Sequence, residues 1–158
     1  MSNKLAIVSL GNTLRRDDGI GITVLRSLLK FYKQEGIDYL DFGSASFDLI
    51  NRMRNYDIVL LIDGIKAGLP AGEVKIFELA EIEYNSNASF ASTHEFDLKN
   101  IFELVKNLGL KTKIYVAGIQ VEDTSYGEGL SEVLKKKKKD IIKEINAFIN
   151  EVLSINSV

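Results

Sequence analysis

Residues 57–63 read DIVLLID. Five apolar side chains stand in a row between two aspartates, with no alternation of apolar and polar positions. A strand with one face in water alternates, whereas a strand covered on both faces does not. The stretch therefore predicts a strand inside a parallel sheet that carries helices above and below it. On this reading the strand closes at Asp63, because Gly64 follows.

Similar runs lie on both sides. Residues 5–10 (LAIVSL) stop at Gly11, residues 37–42 stop at Gly43, and KIYVAGI (113–119) is a last strand. GEVKIFEL (72–79) alternates and predicts an edge strand. The intervening stretches have helical periods. From Asp17 onward, Ile20, Val24, Leu25, Leu28, Leu29 and Tyr32 share one face, which ends near Gly36. A short helix is expected around residues 45–55. In STHEFDLKNIFELVKNLG (92–109), Ser92 and Glu95 have the spacing of a capping box. Leu98, Ile101, Phe102, Val105 and Leu108 then face the core, and Gly109 is the stop. Ser131 is placed to cap a final helix with Leu134, Ile141, Ile145, Phe148 and Val152 on one side. Pro70 between Gly68 and Gly72 marks a turn, and residues 80–91 have no period and read as a loop. The sum is an α/β fold: a three-layer sandwich with a mostly parallel, twisted five-stranded sheet flanked by helices, phosphorylase/hydrolase-like, in one domain over residues 1–158.

Composition removes several function classes. The net charge of −2 gives no general attraction to nucleic acid. No apolar stretch reaches the length of a membrane span, and the short run after Lys4 meets polar Asn12 and Arg15 too soon for a secretory signal. With no cysteine there is no disulfide, thiolate metal site or cysteine nucleophile, and a cytoplasmic location fits. The run Lys135–Lys139 reads as a solvated helix face. G-x-S-x-G, H-E-x-x-H and G-x-x-x-x-G-K-[ST] are all missing, and GIG (19–21) lacks the third glycine of a dinucleotide fingerprint. His94 is the single histidine, so any chemistry that needs an imidazole must use it.

Ligands of an open parallel sheet bind beyond the carboxyl ends of its strands. Asp18 follows the first strand, Asp63 closes the central one, and His94 opens the helix after the long loop. With Asp17 as N-cap, Asp18 lies in a first helical turn, where the dipole favours an ionised carboxylate. With Ser92 as N-cap, His94 also lies in a first turn, where imidazolium is disfavoured and the neutral ring can donate a lone pair. Two carboxylates and one imidazole form a donor set suited to a divalent transition metal with open positions. Plainer readings exist for each: helix capping for Asp17 and Asp18, a turn before Gly64 for Asp63, an exposed helical residue for His94. Gly19 and Gly21, however, weaken a helix start unless something approaches closely, which favours a turn that does more than cap. A receiver-like phosphoacceptor signalling domain also pairs acids after strand one. Here the pair stands seven residues beyond Leu10, and no lysine ends YVAGIQ. A non-catalytic metal-sensing assembly module would keep the same three residues.

GNTLRRDDGIG (11–21), LDFGSASFDLI (40–50), LLIDGIKAGLPAGEVKIFE (60–78), STHEFDLKNIFELVKNLG (92–109) and VAGIQVEDTSYGEGLSEVL (116–134) resemble, in that order, the nickel–iron hydrogenase maturation endopeptidases. The resemblance implies an enzyme that cuts a C-terminal extension from the hydrogenase large-subunit precursor after nickel insertion. It places catalytic and metal-contacting roles on Asp18, Asp63 and His94, and supporting roles on Asn12, Asp17 and Asp41. It implies nickel supplied by the substrate, no organic cofactor, and a precursor polypeptide as partner, without nucleic acid or membrane. The chain departs from the family pattern at Ala45–Phe47, in the looser turn LPAGE (69–73), and over residues 80–91.

Overall fold

In the computed structural model, which describes residues 3–43, 47–83, 91–92 and 98–156, strands and helices alternate as the sequence predicts. The order is β1 (Leu5–Ser9), α1 (Ile20–Phe31), β2 (Ile37–Asp41), α2 (Phe47–Met53), β3 (Ile58–Lys66), β4 (Val74–Glu78), β5 (Ala91–Ser92), α3 (Leu98–Asn107), β6 (Lys113–Gln120) and α4 (Glu132–Asn156). DIVLLID is the first part of β3, at the centre of a sheet ordered β2-β1-β3-β6-β4. The first four of these strands run parallel. β4 lies antiparallel on the edge against β6, where its alternation placed it. The two residues of β5 were not foreseen; they pair antiparallel with the end of β3, Ser92 opposite Ile65.

Each inner strand divides its side chains between two cores by simple alternation. Ile58, Leu60 and Ile62 join Leu5, Ile7 and Ile119 under α1 and α4. Val59, Leu61 and Ile65 join Ala6, Val8 and Val116 under α2 and α3. This is why the strand sequences are continuous apolar runs: both faces lose their water. Each fully buried aliphatic side chain of this kind contributes roughly 1.5–3 kcal/mol. The predicted helix faces hold, with two exceptions. Leu29 is 37% exposed at the margin of the α1 stripe, and Leu108, one residue past the end of α3, is 51% exposed.

One boundary differs from expectation. β3 does not close at Asp63 but continues to Lys66. Gly64 does not break it, because the ladder with β6 extends to Ile65↔Gln120 and β5 adds pairing at the end. The glycine serves packing instead: a Cβ there would press on the Val121 side chain at 2.9 Å. Ser92 pairs in β5, and the first described residue of α3 is Leu98, so the cap of this helix falls outside the described residues. Glu95, the expected capping-box partner of Ser92, lies outside them too. Ser131 does cap α4, accepting the Leu134 N–H at 3.5 Å.

Gly21 fixes where α1 meets the sheet. A Cβ on it would lie 2.5 Å from the Ile62 carbonyl oxygen and 2.6 Å from that of Leu10. The first turn of α1 therefore rests directly on the backbone at the carboxyl ends of β1 and β3. Gly21→Ala should gain about 1 kcal/mol of helix propensity, yet two backbone oxygens cannot move aside as a side chain would. A net loss of about 2 kcal/mol is expected, read as a lower urea midpoint at unchanged slope.

Candidate active site

The chain leaves β1 through GNTLRRDDG and folds back on itself. Gly11 has φ 145°, and a Cβ on it would collide with the Asp18 carbonyl oxygen, so only glycine fits. The Asn12 side chain accepts the Leu14 N–H at 2.9 Å and shapes the turn. Arg16 takes a left-handed φ of 44°, uncommon for a side chain of its size. It is held there by its own N–H on the Gly127 carbonyl at 3.1 Å and by the next N–H, of Asp17, on the Asp123 carbonyl at 3.0 Å.

The two aspartates that follow are both fully buried, and they do different things. They lie in a 3₁₀ turn, Arg16–Gly19, ahead of α1. The N-cap of α1 is Gly19, with no side-chain capping bond, so Asp17 is not the cap the sequence suggested. Its carboxylate is taken by four donors from the loop between β6 and α4. Oδ2 accepts the N–H groups of Glu122 and Asp123, each at 3.0 Å, and the Ser131 hydroxyl at 2.8 Å. Oδ1 accepts the Ser131 N–H at 2.7 Å. Asp17 is thus a clasp between the acid-bearing turn and the start of α4. Asp18 points elsewhere: its Oδ2 accepts the Asn12 N–H at 3.0 Å.

Asp63 is also fully buried. It pairs with Gly118 and stands between Leu61 and Ile65 on the α2–α3 side of the sheet. The turn bearing Asp17 and Asp18 lies against this part of β3, since a Cβ on Gly64 would be 3.6 Å from the Asp17 carbonyl oxygen. Asp18, in that turn, and Asp63, within β3, both lie toward the carboxyl edge of the sheet. Asp41 ends β2 on the same edge, but its register partner Ser9 alternates toward the α1–α4 side. It accepts the Gly43 N–H at 3.1 Å and the Ser9 hydroxyl at 3.5 Å. The Gly43 carbonyl in turn holds the Gly11 N–H at 2.8 Å, so Asp41 braces the loop that presents Asn12 to Asp18. His94 lies outside the described residues; Ser92, two positions before it, sits at the end of β3.

Local sequence patterns did not reveal the partner loop, residues 121–131. It meets Asp17 across a separation of more than a hundred positions. The one available signal was the adjacent pair itself, read as a cap at Asp17 and a first-turn carboxylate at Asp18, and it does not reveal donors from so far along the chain. Within that loop the Asp123 carboxyl is held below its ordinary range, first by the Ser125 hydroxyl at 2.6 Å and then by the Ser125 N–H at 2.9 Å; Arg16, 3.7 Å away, adds to this. The lysine run on α4 behaves as a largely solvated face. Lys135 pairs with Glu132 at 3.2 Å, and Lys137 donates to the Ala71 carbonyl at 2.9 Å. Among the described residues no cluster of three or more His, Cys, Asp and Glu side chains could hold a metal ion, and no helix is long and apolar enough to cross a membrane.

The fold is a three-layer α/β sandwich that buries two aspartates fully toward the carboxyl side of its sheet, Asp18 in the turn after β1 and Asp63 within β3. The chain belongs to the hydrogenase maturation protease family: the family model described as HycI, hydrogenase maturation protease, matches residues 22–147. It is 26% identical over 137 residues to the hydrogenase expression/formation protein HupD of Thiocapsa roseopersicina, covering 85% of this chain but only 62% of that protein's length. It is 28% identical to a putative hydrogenase maturation protease of Methanocaldococcus jannaschii, covering 94% of this chain and 90% of the relative. The [NiFe] hydrogenase maturation protease HybD from Thermococcus kodakarensis superposes with a TM-score of 0.74 at 26% identity, over 92% of this chain and 98% of its own. The hydrogenase maturating endopeptidase HybD from E. coli shares the fold with a TM-score of 0.79 at 20% identity, over 94% of this chain and 93% of its own. Nothing in these similarities favours the receiver or the non-catalytic module.

Proposed function

We propose that this protein is a metal-dependent endopeptidase that removes the C-terminal extension of a nickel–iron hydrogenase large-subunit precursor once nickel is in place, and that it acts in the cytoplasm. The observation that carries the reading is the pair of fully buried carboxylates, Asp18 and Asp63, at one edge of the sheet in a chain of this family. The proposed third member is His94. At most about 7 Å of extended chain separates it from Ser92, which pairs with Ile65, two residues along β3 from Asp63.

In this reading the nickel is part of the substrate, and the two carboxylates and the imidazole recognise it; oxygen and nitrogen donors of this kind suit Ni²⁺. The bound ion would supply charge stabilisation at the scissile carbonyl. The protein's part is proton transfer and positioning. A carboxylate of the pair takes a proton from water as the water oxygen bonds to the scissile carbon. The C–N bond then breaks and the proton passes to the leaving nitrogen. Asp41 and Asn12 keep the Asp18 loop in place. Because both acids are covered, the tail must displace what covers them, and the reaction then proceeds away from bulk water.

The test is the mass of a purified precursor, nickel-loaded or nickel-free, before and after incubation with the protein. Loss of the tail from the loaded form alone is expected. Equal cleavage of both forms would remove nickel recognition, and cutting of unrelated unfolded proteins would mark a general protease.

A further inference from the structure

The run Lys135–Lys139 does not act as a unit. Lys135 is paired with Glu132. Lys137 is engaged by the loop before β4: its Nζ donates to the Ala71 carbonyl, and its stem fills the space that a Cβ on Gly72 would take. Lys138 and Lys139, with Lys143 one turn further on, instead line a groove between α1 and α4. Phe31, Tyr32 and Ile142 supply its apolar lining, and the cavity measures about 400 Å³. The Phe31 ring is 68% exposed there, with the Lys30 ammonium 5.2 Å from its centre.

The charge in this groove is unbalanced. Among the described residues no acidic side chain lines it, and Lys138, Lys139 and Lys143 make no ion pair. Lys139 and Lys143 are neighbours on the helix, and like charges at that spacing repel. The chain as a whole has a net charge of −2, so the positive charge is a local concentration. An anionic occupant would relieve it, and lysine stems lying along the apolar lining leave their ammonium groups at the rim to meet that occupant.

Shape narrows the occupant further. From Lys138 to Lys143 the helix advances about 8 Å along its axis. That is too long for one carboxylate, and it matches two or three successive residues of an extended chain, at about 3.3 Å each. We propose that the α1–α4 groove binds an acidic segment of a partner polypeptide. One large apolar side chain of the segment enters among Phe31, Tyr32 and Ile142, and carboxylates on its neighbours meet Lys138, Lys139 and Lys143. The groove is on the α1–α4 side of the sheet, whereas Asp63 stands on the α2–α3 side, so the inference does not depend on the endopeptidase reading.

The experiment is calorimetric titration of the full chain with a synthetic peptide that carries one phenylalanine between runs of glutamate. The parent is compared with Lys139→Glu/Lys143→Glu and with Phe31→Ser. All three positions are exposed, so urea midpoints should match the parent and any change in binding is local. Saturable binding by the parent is expected below about 1 mM, weakening as salt is added. The double variant should raise Kd about tenfold or more, and should bind a peptide with lysine in place of glutamate better than the parent does. Phe31→Ser, and serine in place of the peptide's phenylalanine, should each raise Kd several-fold. No saturable binding of the glutamate peptide to the parent overturns the proposal, as does equal binding by the double variant. Equal affinity for the serine-containing peptide also overturns it, because the lysines then act without the groove. Capture of the parent by phosphatidylserine vesicles without peptide binding assigns the face to a membrane surface. Self-association that the double variant abolishes, again without peptide binding, assigns it to a second copy of this chain; either result overturns the proposal.

Discussion

Asp18→Asn and Asp63→Asn will each leave the nickel-loaded precursor at full length over times in which the parent protein removes its tail. The expected drop in rate is at least about 100-fold, the usual scale for loss of a proton-transfer group. Asparagine matches aspartate in shape, so the test separates chemistry from folding. In Asp18→Asn the amide oxygen can still accept the Asn12 N–H that Oδ2 accepts now. The urea midpoint should accordingly move little while activity collapses. His94→Ala belongs to the same experiment and should behave alike. Tail removal at the parent rate by any one of the three would take that residue out of the mechanism. A rate loss that only tracks a lowered midpoint would assign the residue to the fold.

Asp17→Ala should do the opposite: its first effect is on stability. The substitution strands four donors, the N–H groups of Glu122, Asp123 and Ser131 and the Ser131 hydroxyl, around a carboxylate site of zero exposure. A buried donor left without its acceptor costs about 1–3 kcal/mol. Relaxation and entering water will recover part of the sum, so a loss of about 3–5 kcal/mol is expected. That is a large fraction of the total stability of a domain of this size. Ser131→Ala removes one of the donors and weakens the α4 cap, and should cost only about 1 kcal/mol. Urea unfolding of the three proteins ranks them directly. If Asp17→Ala unfolds within about 1 kcal/mol of the parent, the clasp is dispensable and Asp17 regains candidacy for the chemistry.

The neighbouring aspartates show how far a linear reading reaches. The sequence marked both as unusual, because a glycine-bearing turn after a buried strand makes poor sense as a cap alone. That judgement holds: at Gly19 and at Gly21 backbone lies where a Cβ would go, that of Thr13 at the first and of Leu10 and Ile62 at the second. The sequence singled out Asp18 over Asp17, but it read Asp17 as a helix cap and could not foresee the clasp that Asp17 forms instead. Adjacent residues in a tight turn point in different directions, and the donors that claim Asp17 come from positions 122–131. The same limit applies to Asp63. Its strand was legible, but its place inside the strand was not, because the pairing that extends β3 to Lys66 comes from β5 and β6.

The sequence by itself determined the alternation of strands and helices, the parallel core and the edge strand. Those follow from which side chains are apolar and at what period, and burial on one or two faces leaves that period in the chain. Only the tertiary structure decided what Asp17 binds, how the Asn12 N–H holds Asp18, and where β3 ends. Hydrogen bonds between distant loops depend on where backbone donors end up in space, and no local period records that.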